Sequence, residues 1–368
     1  TASVLAQNRD RRFASIAEPE VGSFPACLTL ADLNGDGVQD ILVGHETTEV
    51  SAVTVLSNLG AGIDFSRADH ALSDDPYLDR NPQCLGAAAM RGTGPDVLTS
   101  SGVSGAGDVN SMMTLFDDAD FASPEYLRTS TMQDPGKFVI ADFDNDGDND
   151  FCTLSTLTQI ITCVKNPGGS SSGASIADWP FYFFDAELSS KALVATDIND
   201  DGFQDLVIAG DAGLGILMST GNFSGYCDEE AQSGHCLVMV FNLFEDPLGP
   251  FDVGGAVKGL ASGDLDGDGD TDLVVSVPGA NKVAFLANAG GSLVTSRGEL
   301  RQRDLSVYDT PQGVIAGDID GDGRMEVVVS NMRSNDVWVL HRRETPVNMM
   351  LDCPLPARAS PRTPPYVD

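Results

Sequence analysis

Short apolar runs alternate with clusters of Gly, Asp and Asn along most of the chain. Residues 41–43, 206–208, 273–275 and 327–329 each lie between such clusters. Runs of this length bounded by turn formers predict strands, and helix-favouring stretches are scarce. The strands recur in one order. A lead-in run (28–33, 138–143, 314–319) meets an acidic turn, and a second run follows directly (41–43, 273–276). A third reads as 53–58 or 283–288, and a fourth, less regular, closes the unit. Four strands in ~55 residues predict a propeller blade, whose faces are buried only when neighbours stack around an axis.

The acidic turn has a fixed spacing: Asp, any, Asp or Asn, any, Asp, Gly, two of any, then an acid. It reads Asp32-Leu-Asn34-Gly-Asp36-Gly37-Val38-Gln-Asp40 in the first copy and Asp142-Phe-Asp144-Asn-Asp146-Gly147-Asp148-Asn-Asp150 in the second. The others are Asp197-Ile-Asn199-Asp-Asp201-Gly202-Phe203-Gln-Asp205, Asp264-Leu-Asp266-Gly-Asp268-Gly269-Asp270-Thr-Asp272 and Asp318-Ile-Asp320-Gly-Asp322-Gly323-Arg324-Met-Glu326. Their first aspartates are 110, 55, 67 and 54 residues apart, so a degenerate copy is expected midway through the first gap. It is the segment ending at Asp96, which has Ala88, Met90 and Gly92 at the ligand positions. Hairpins therefore fall near residues 32, 90, 142, 197, 264 and 318.

The charge fits these turns. The chain has 55 acidic against 21 basic residues, a formal net charge of −34. That balance argues against nucleic acid, whose phosphates need a basic surface. In each loop, positions 1, 3, 5 and 9 offer side-chain oxygens. Position 7 offers its backbone carbonyl (Val38, Asp148, Phe203, Asp270, Arg324). Six to eight oxygens at about 2.3–2.6 Å suit calcium, and glycine at position 6 allows the sharp turn. Three or four carboxylates would repel one another without a cation. The loop is not a helical EF-hand: position 12 is Val43, Thr153, Ile208, Val275 or Val329, never glutamate. Magnesium keeps waters and fits an all-protein cage poorly. Five copies at blade spacing point to about five calcium ions rather than metal-free turns.

These residues resemble the FG-GAP/VCBS repeat family, as in integrin α-subunit propellers and propeller lectins. Leu273-Val-Val-Ser-Val-Pro-Gly-Ala280, followed by Val283-Ala-Phe-Leu, is similar to the family's strand–Gly-Ala-Pro–strand segment, with the Pro moved. The resemblance runs from about residue 27 to 342. It implies an all-β propeller of four-stranded blades, seven by the family's usual count, with six as the alternative. It carries calcium ligands onto the five loops and not onto the one ending at Asp96. Residues 3–8 and 13–16 read as strands three and four of a unit, so the chain starts mid-blade. Joined with residues 347–351, they would make a seventh blade and close the ring through both chain ends. One domain is expected over residues 1–353, then a Pro-rich extended tail over 354–368.

Seven cysteines occur: Cys27, Cys84, Cys152, Cys163, Cys227, Cys236 and Cys353. No Cys/His spacing suggests zinc. Cys152 with Cys163, and Cys227 with Cys236, could close short disulfide loops; the alternative is buried thiols. Disulfides would place the protein in a secreted or cell-surface setting. No apolar run is long enough to cross a membrane.

A catalytic centre is not visible. His45, His70, His235 and His341 are scattered, and Gly169-Ser-Ser171-Ser-Gly173 matches a nucleophile elbow only formally, inside a Gly/Ser run. The insertion at 221–244, with Phe223, Tyr226 and His235, is the best ligand lead, since loops on rigid scaffolds carry function. A second aromatic cluster, Trp179, Phe181, Tyr182, Phe183 and Phe184, suits either sugar stacking or blade packing. The expectation is a non-catalytic recognition, adhesion or assembly module for a protein or carbohydrate ligand. The alternatives are a lectin and a polysaccharide-degrading enzyme.

Overall fold

The computed structural model describes residues 4–7, 13–17, 21, 25–45, 53–59, 65–70, 82–91, 94–101, 112–117, 121, 123–127, 134–168, 175–186, 189–221, 248–288, 301–307, 310–318, 323–333, 336–342 and 351–352. A two-stranded hairpin comes first, β1 (Val4–Gln7) with β2 (Phe13–Ala17). Six four-stranded antiparallel sheets follow, each taking its strands in chain order. Blade 1 is β3 (Pro25–Ala31), β4 (Asp40–His45), β5 (Val53–Asn58) and β6 (Phe65–His70). Blade 2 is β7 (Pro82–Ala88), β8 (Asp96–Ser101), β9 (Met112–Phe116) and β10 (Glu125–Leu127). Blade 3 is β11 (Pro135–Ala141), β12 (Asp150–Ser155), β13 (Ile160–Val164) and β14 (Phe181–Asp185). Blade 4 is β15 (Ser190–Thr196), β16 (Asp205–Gly210), β17 (Gly213–Leu217) and β18 (Leu248–Phe251). Blade 5 is β19 (Gly259–Gly263), β20 (Asp272–Val277), β21 (Lys282–Ala287) and β22 (Arg301–Ser306). Blade 6 is β23 (Pro311–Gly317), β24 (Glu326–Asn331), β25 (Asp336–Arg342) and β26 (Leu351–Asp352).

The first strands of successive blades pack against one another from β3 to β23, which makes them the innermost strands of a β-propeller. Five apolar clusters weld the blades in pairs. Leu42, Val53 and Val55 of blade 1 meet Leu85, Val97 and Phe116 of blade 2. Leu98 and Leu115 meet Phe151 and Val164; Leu154 and Ile161 meet Leu206 and Ile208. Val207 and Ile216 meet Leu273 and Val275; Val274 and Phe285 meet Val327 and Leu340. None of these clusters joins blade 6 to blade 1. On that side Leu28 and Leu30 of β3 and Ile315 of β23 are 67%, 55% and 63% exposed.

Two expectations change here. The lead-in strands stop at Ala31, Ala141 and Gly317, two residues early, because the next backbone amides turn to side-chain carboxylates and leave the ladder. The seventh blade and its closure through both chain ends are not seen among the described residues. Blade 6 instead completes itself locally, with Leu351 paired to Arg342. Blade count is therefore the alternative value of six, beside the β1–β2 hairpin. The expected tail, 354–368, lies outside the described residues.

Candidate metal loops

Each acidic loop links the first strand of its blade to the second. Two positions need a left-handed backbone. Glycine at position 6 has φ of +84° to +98° at Gly37, Gly147, Gly202 and Gly269. Position 4 is left-handed as well: Gly35, Asn145, Asp200 and Gly267, at +56° to +75°. Gly, Asn and Asp tolerate that region best, and this is the reason for the composition at position 4.

The turn winds around the first aspartate. Asp32 accepts the amides of Asp36 and Gly37 at 3.1 and 2.8 Å, one on each carboxylate oxygen. Asp142 and Asp197 do the same with Asp146 and Gly147, and with Asp201 and Gly202. Position 5 accepts the amide of position 7: Val38, Asp148, Phe203 and Asp270 donate to Asp36, Asp146, Asp201 and Asp268 at 2.9–3.1 Å. Carboxylate oxygens at positions 1, 3 and 5 then converge within 4.8 Å of one another in two loops, Asp142/Asp144/Asp146 and Asp264/Asp266/Asp268. The first and third complete loops have Asn34 and Asn199 at position 3. In the last loop Asp318 accepts the amide of Gly323 at 2.8 Å, while Asp320 and Asp322 lie outside the described residues.

A cation fits this donor set. Oδ1 of Asp144 is buried with no hydrogen-bond partner. Its other oxygen pairs with the ammonium of Lys165, which also meets Asp146 at 2.8 Å. Like charges crowd the loops of neighbouring blades: the carboxyl of Asp270 raises the pKa of Asp200.

Position 9 has a second task that positions 1, 3 and 5 lack. Asp40, Asp150, Asp205 and Asp272 are fully buried. One oxygen of each accepts the amide of position 2 (Leu33, Phe143, Ile198, Leu265) at 2.9–3.1 Å. The other accepts an amide at the end of the third strand: Asn58, Asn166, Ser219 or Asn288, at 2.6–2.8 Å. Burial pushes Asp150 up to about 8, Asp272 to about 7 and Asp205 to about 6, with nearby loop carboxylates adding to the rise. The degenerate copy isolates this role. Asp96 is fully buried and accepts the amides of Met90 and Arg91, both at 2.8 Å, in a loop without the other acids. In that blade a guanidinium takes over: Arg91 pairs with both oxygens of Glu125 at 2.7 and 3.0 Å and lies 5.2 Å over the ring of Trp179 in the next blade.

The residue ending the third strand also reaches the preceding blade, a contact that sequence reasoning missed. Asn288 Nδ2 donates to the carbonyl of Ile198 at 2.8 Å, Ser219 Oγ to Phe143 at 3.3 Å, and Asn166 Nδ2 to Met90. The loops touch directly too: Asn145 donates to Gly202 at 2.7 Å and Asn149 to Ala89 at 2.9 Å. The recurrent Asn at 58, 166 and 288 was the visible signal.

The other candidates sort plainly. Cys152 and Cys163 sit opposite each other on β12 and β13 and form a disulfide, whereas Cys27 and Cys84 are free. Burial pushes the Cys27 thiol up to about 12. His45 is buried and hydrogen-bonds Thr54 at 2.9 Å; His70 stacks on Phe121 at 4.0 Å. Trp179, Phe181 and Tyr182 are buried between blades, so they serve packing. Most of the 221–244 insertion, with Cys227, His235 and Cys236, and most of the 168–175 Gly/Ser run lie outside the described residues, as does Cys353.

Six four-stranded blades with acidic turns on one set of hairpins define a β-propeller with candidate metal loops. Residues 254–329, covering the blade 5 hairpins and the blade 6 acidic turn, match the model of the FG-GAP-like repeat. No curated protein matches the sequence. Among solved structures the chain is similar to BBS1N in its complex with ARL6DN. That likeness has 13% identity and a TM-score of 0.50, covering 87% of this chain and 80% of that one. It is also similar to an Agrocybe aegerita lectin that specifically recognises non-reducing terminal N-acetylglucosamine. There the identity is 17% and the TM-score 0.54, over 87% of this chain and 77% of the lectin. At these identities the likeness is one of fold.

Proposed function

We propose that the protein is a secreted or cell-surface, non-catalytic recognition module. In this reading its propeller is stiffened by about five calcium ions, held by Asp32, Asn34, Asp36, Val38 and Asp40 and by the equivalent residues of the other four loops. The observation that carries it is the convergence of carboxylates at positions 1, 3 and 5, with an orphaned buried oxygen on Asp144. Calcium would supply only charge and coordination there. The chain's own residues do the rest: positions 1 and 5 wind the turn, position 9 pins it to the third strand, and Asn288 and its counterparts tie it to the blade before. A disulfide supports the extracellular setting.

Recognition is assigned to loops, the 221–244 insertion first among them. A protein or carbohydrate ligand fits this reading, and adhesion or extracellular assembly is its setting. The lectin version loses one of its supports, because Trp179, Phe181 and Tyr182 are buried. A glycan and protein-partner screen, run with and without calcium, tests the proposal. A saturable partner without turnover supports it. Turnover of a polysaccharide by the purified chain would replace it with the enzyme reading.

A further inference from the structure

The chain has five lysines against 55 acidic residues, and three of the five, Lys137, Lys191 and Lys258, line one cavity of about 440 Å³. The remaining two neutralise acids elsewhere: Lys165 pairs with Asp144 and Asp146, and Lys282 with Asp304 at 2.8 Å. Lys191 pairs with Asp211. Among the described residues, the ammonium groups of Lys137 and Lys258 have no carboxylate partner and no hydrogen bond. In a chain of net charge −34, the two lysines without an acid are thus on the same cavity wall.

The topology explains how they meet there. Lys137 and Lys191 stand at the start of β11 and β15, and Lys258 directly precedes β19. In β11 and β15 the register slips at this point, between Pro135 and Lys137 and between Ser190 and Ala192. A bulge of this kind re-aims side chains. Since the starts of four innermost strands share one cavity, their acidic loops lie at the opposite end of the blades. Each lysine precedes the first aspartate of the loop that follows it by five or six positions of strand, about 17–20 Å. That is beyond the Debye length of about 8 Å at physiological salt, so the loops scarcely neutralise the lysines.

The rest of the wall is mainly aliphatic, with Ser330 and two glycines. Leu193, Leu260 and Val314 form the floor. Ile315 and Val337 face the cavity from the side of blade 6 that no other blade covers among the described residues, and are 63% and 41% exposed. An ammonium is a point charge that selects an anion without demanding a planar partner. We propose that this cavity binds a small amphiphilic oxyanion. Its carboxylate or phosphate head lies against Lys137 and Lys258, and its aliphatic body lies against Ile315 and Val337. The volume suits a ligand of that size. The cavity shares no residue with the acidic loops, so its test stands apart from the calcium assignment.

Isothermal titration of the full chain with octanoate, octyl phosphate, octanol and acetate reads it directly. One saturable site is expected for octanoate or octyl phosphate, and the comparison of the two identifies the preferred head. Octanol, which lacks the charge, and acetate, which lacks the body, should each bind at least about tenfold more weakly. Lys137→Gln combined with Lys258→Gln should weaken binding by roughly tenfold or more, whereas Lys282→Gln should not change it. Raising salt must weaken binding by the unsubstituted chain, a reading that needs no variant. Three results would overturn the proposal: no saturable site for either amphiphile, octanol binding as well as octanoate, or affinity indifferent to both salt and the lysine substitutions.

Discussion

Asp96 separates two roles that the other loops combine. In the five complete loops the acid at position 9 stands beside metal-type carboxylates, so sequence alone counts it as a ligand. Asp96 keeps the buried hydrogen bonds without acids at positions 1, 3 and 5, with the carboxyl of Asp117 beside it. Asp96→Ala should therefore destabilise the protein by about 2–4 kcal/mol, since two amides lose their acceptor. Urea unfolding should give the same loss with and without calcium. Arg91 and Glu125 allow a pH test on the same blade. Hydrogen bonds from Arg91 hold the Glu125 carboxyl below its usual range. A depressed acid stabilises the fold above its unfolded pKa and loses that contribution as pH falls through its folded pKa. Glu125→Gln should thus lower the melting temperature at neutral pH. The gap from the unsubstituted protein should close as pH falls below the ordinary glutamate range. Because the pair is partly exposed, the neutral-pH effect should be modest, about 1 kcal/mol or less.

At the scale of single elements, most strands were legible. The third strand at 53–58 and the lead-in, second and third runs all appear, because alternation and turn formers act over a few residues. What escaped notice is non-local. The tie from Asn288 to Ile198 spans 90 residues, and nothing in one sequence marks its partner. The left-handed position 4 was legible in principle, as Gly, Asn or Asp at every copy, but its backbone demand shows only in the folded loop. The Cys152–Cys163 disulfide was legible because hairpin strands place those residues face to face. Its loop spans 11 residues, which the chain-entropy account values at about 2–3 kcal/mol. Cys152→Ser with Cys163→Ser should lower stability by that amount while circular dichroism stays β-rich. An unchanged denaturation midpoint would show that the hairpin gains nothing from the bond. Lys165 belongs to this scale as well: its ammonium competes for Asp144 and Asp146, so Lys165→Met should raise the calcium affinity of that loop.

For the whole molecule, the repeat predicted the propeller, and the described residues form the alternative count of six blades rather than the family's usual seven. The six hairpins follow from the repeat spacing itself, whereas the seventh blade relied on distant chain segments pairing. Residues 351 and 352 instead add to blade 6, whose own third strand is nearer in sequence. Five inter-blade cores hold the blades in order, and hydrogen bonds join the blade 3 loop to the loops on either side of it. Fixing a loop with a cation therefore acts on two blades at once. Calcium in these loops should stabilise the folded propeller, by ~2.7 kcal/mol per site at a hundredfold excess over the dissociation constant. The most direct test is thermal unfolding of the unsubstituted chain and of Asp268→Ala, each with and without calcium. Calcium should raise the melting temperature of the first markedly and of the second by less, with the two closer together once the ion is chelated. A melting temperature of the unsubstituted chain that does not respond to calcium would contradict the account.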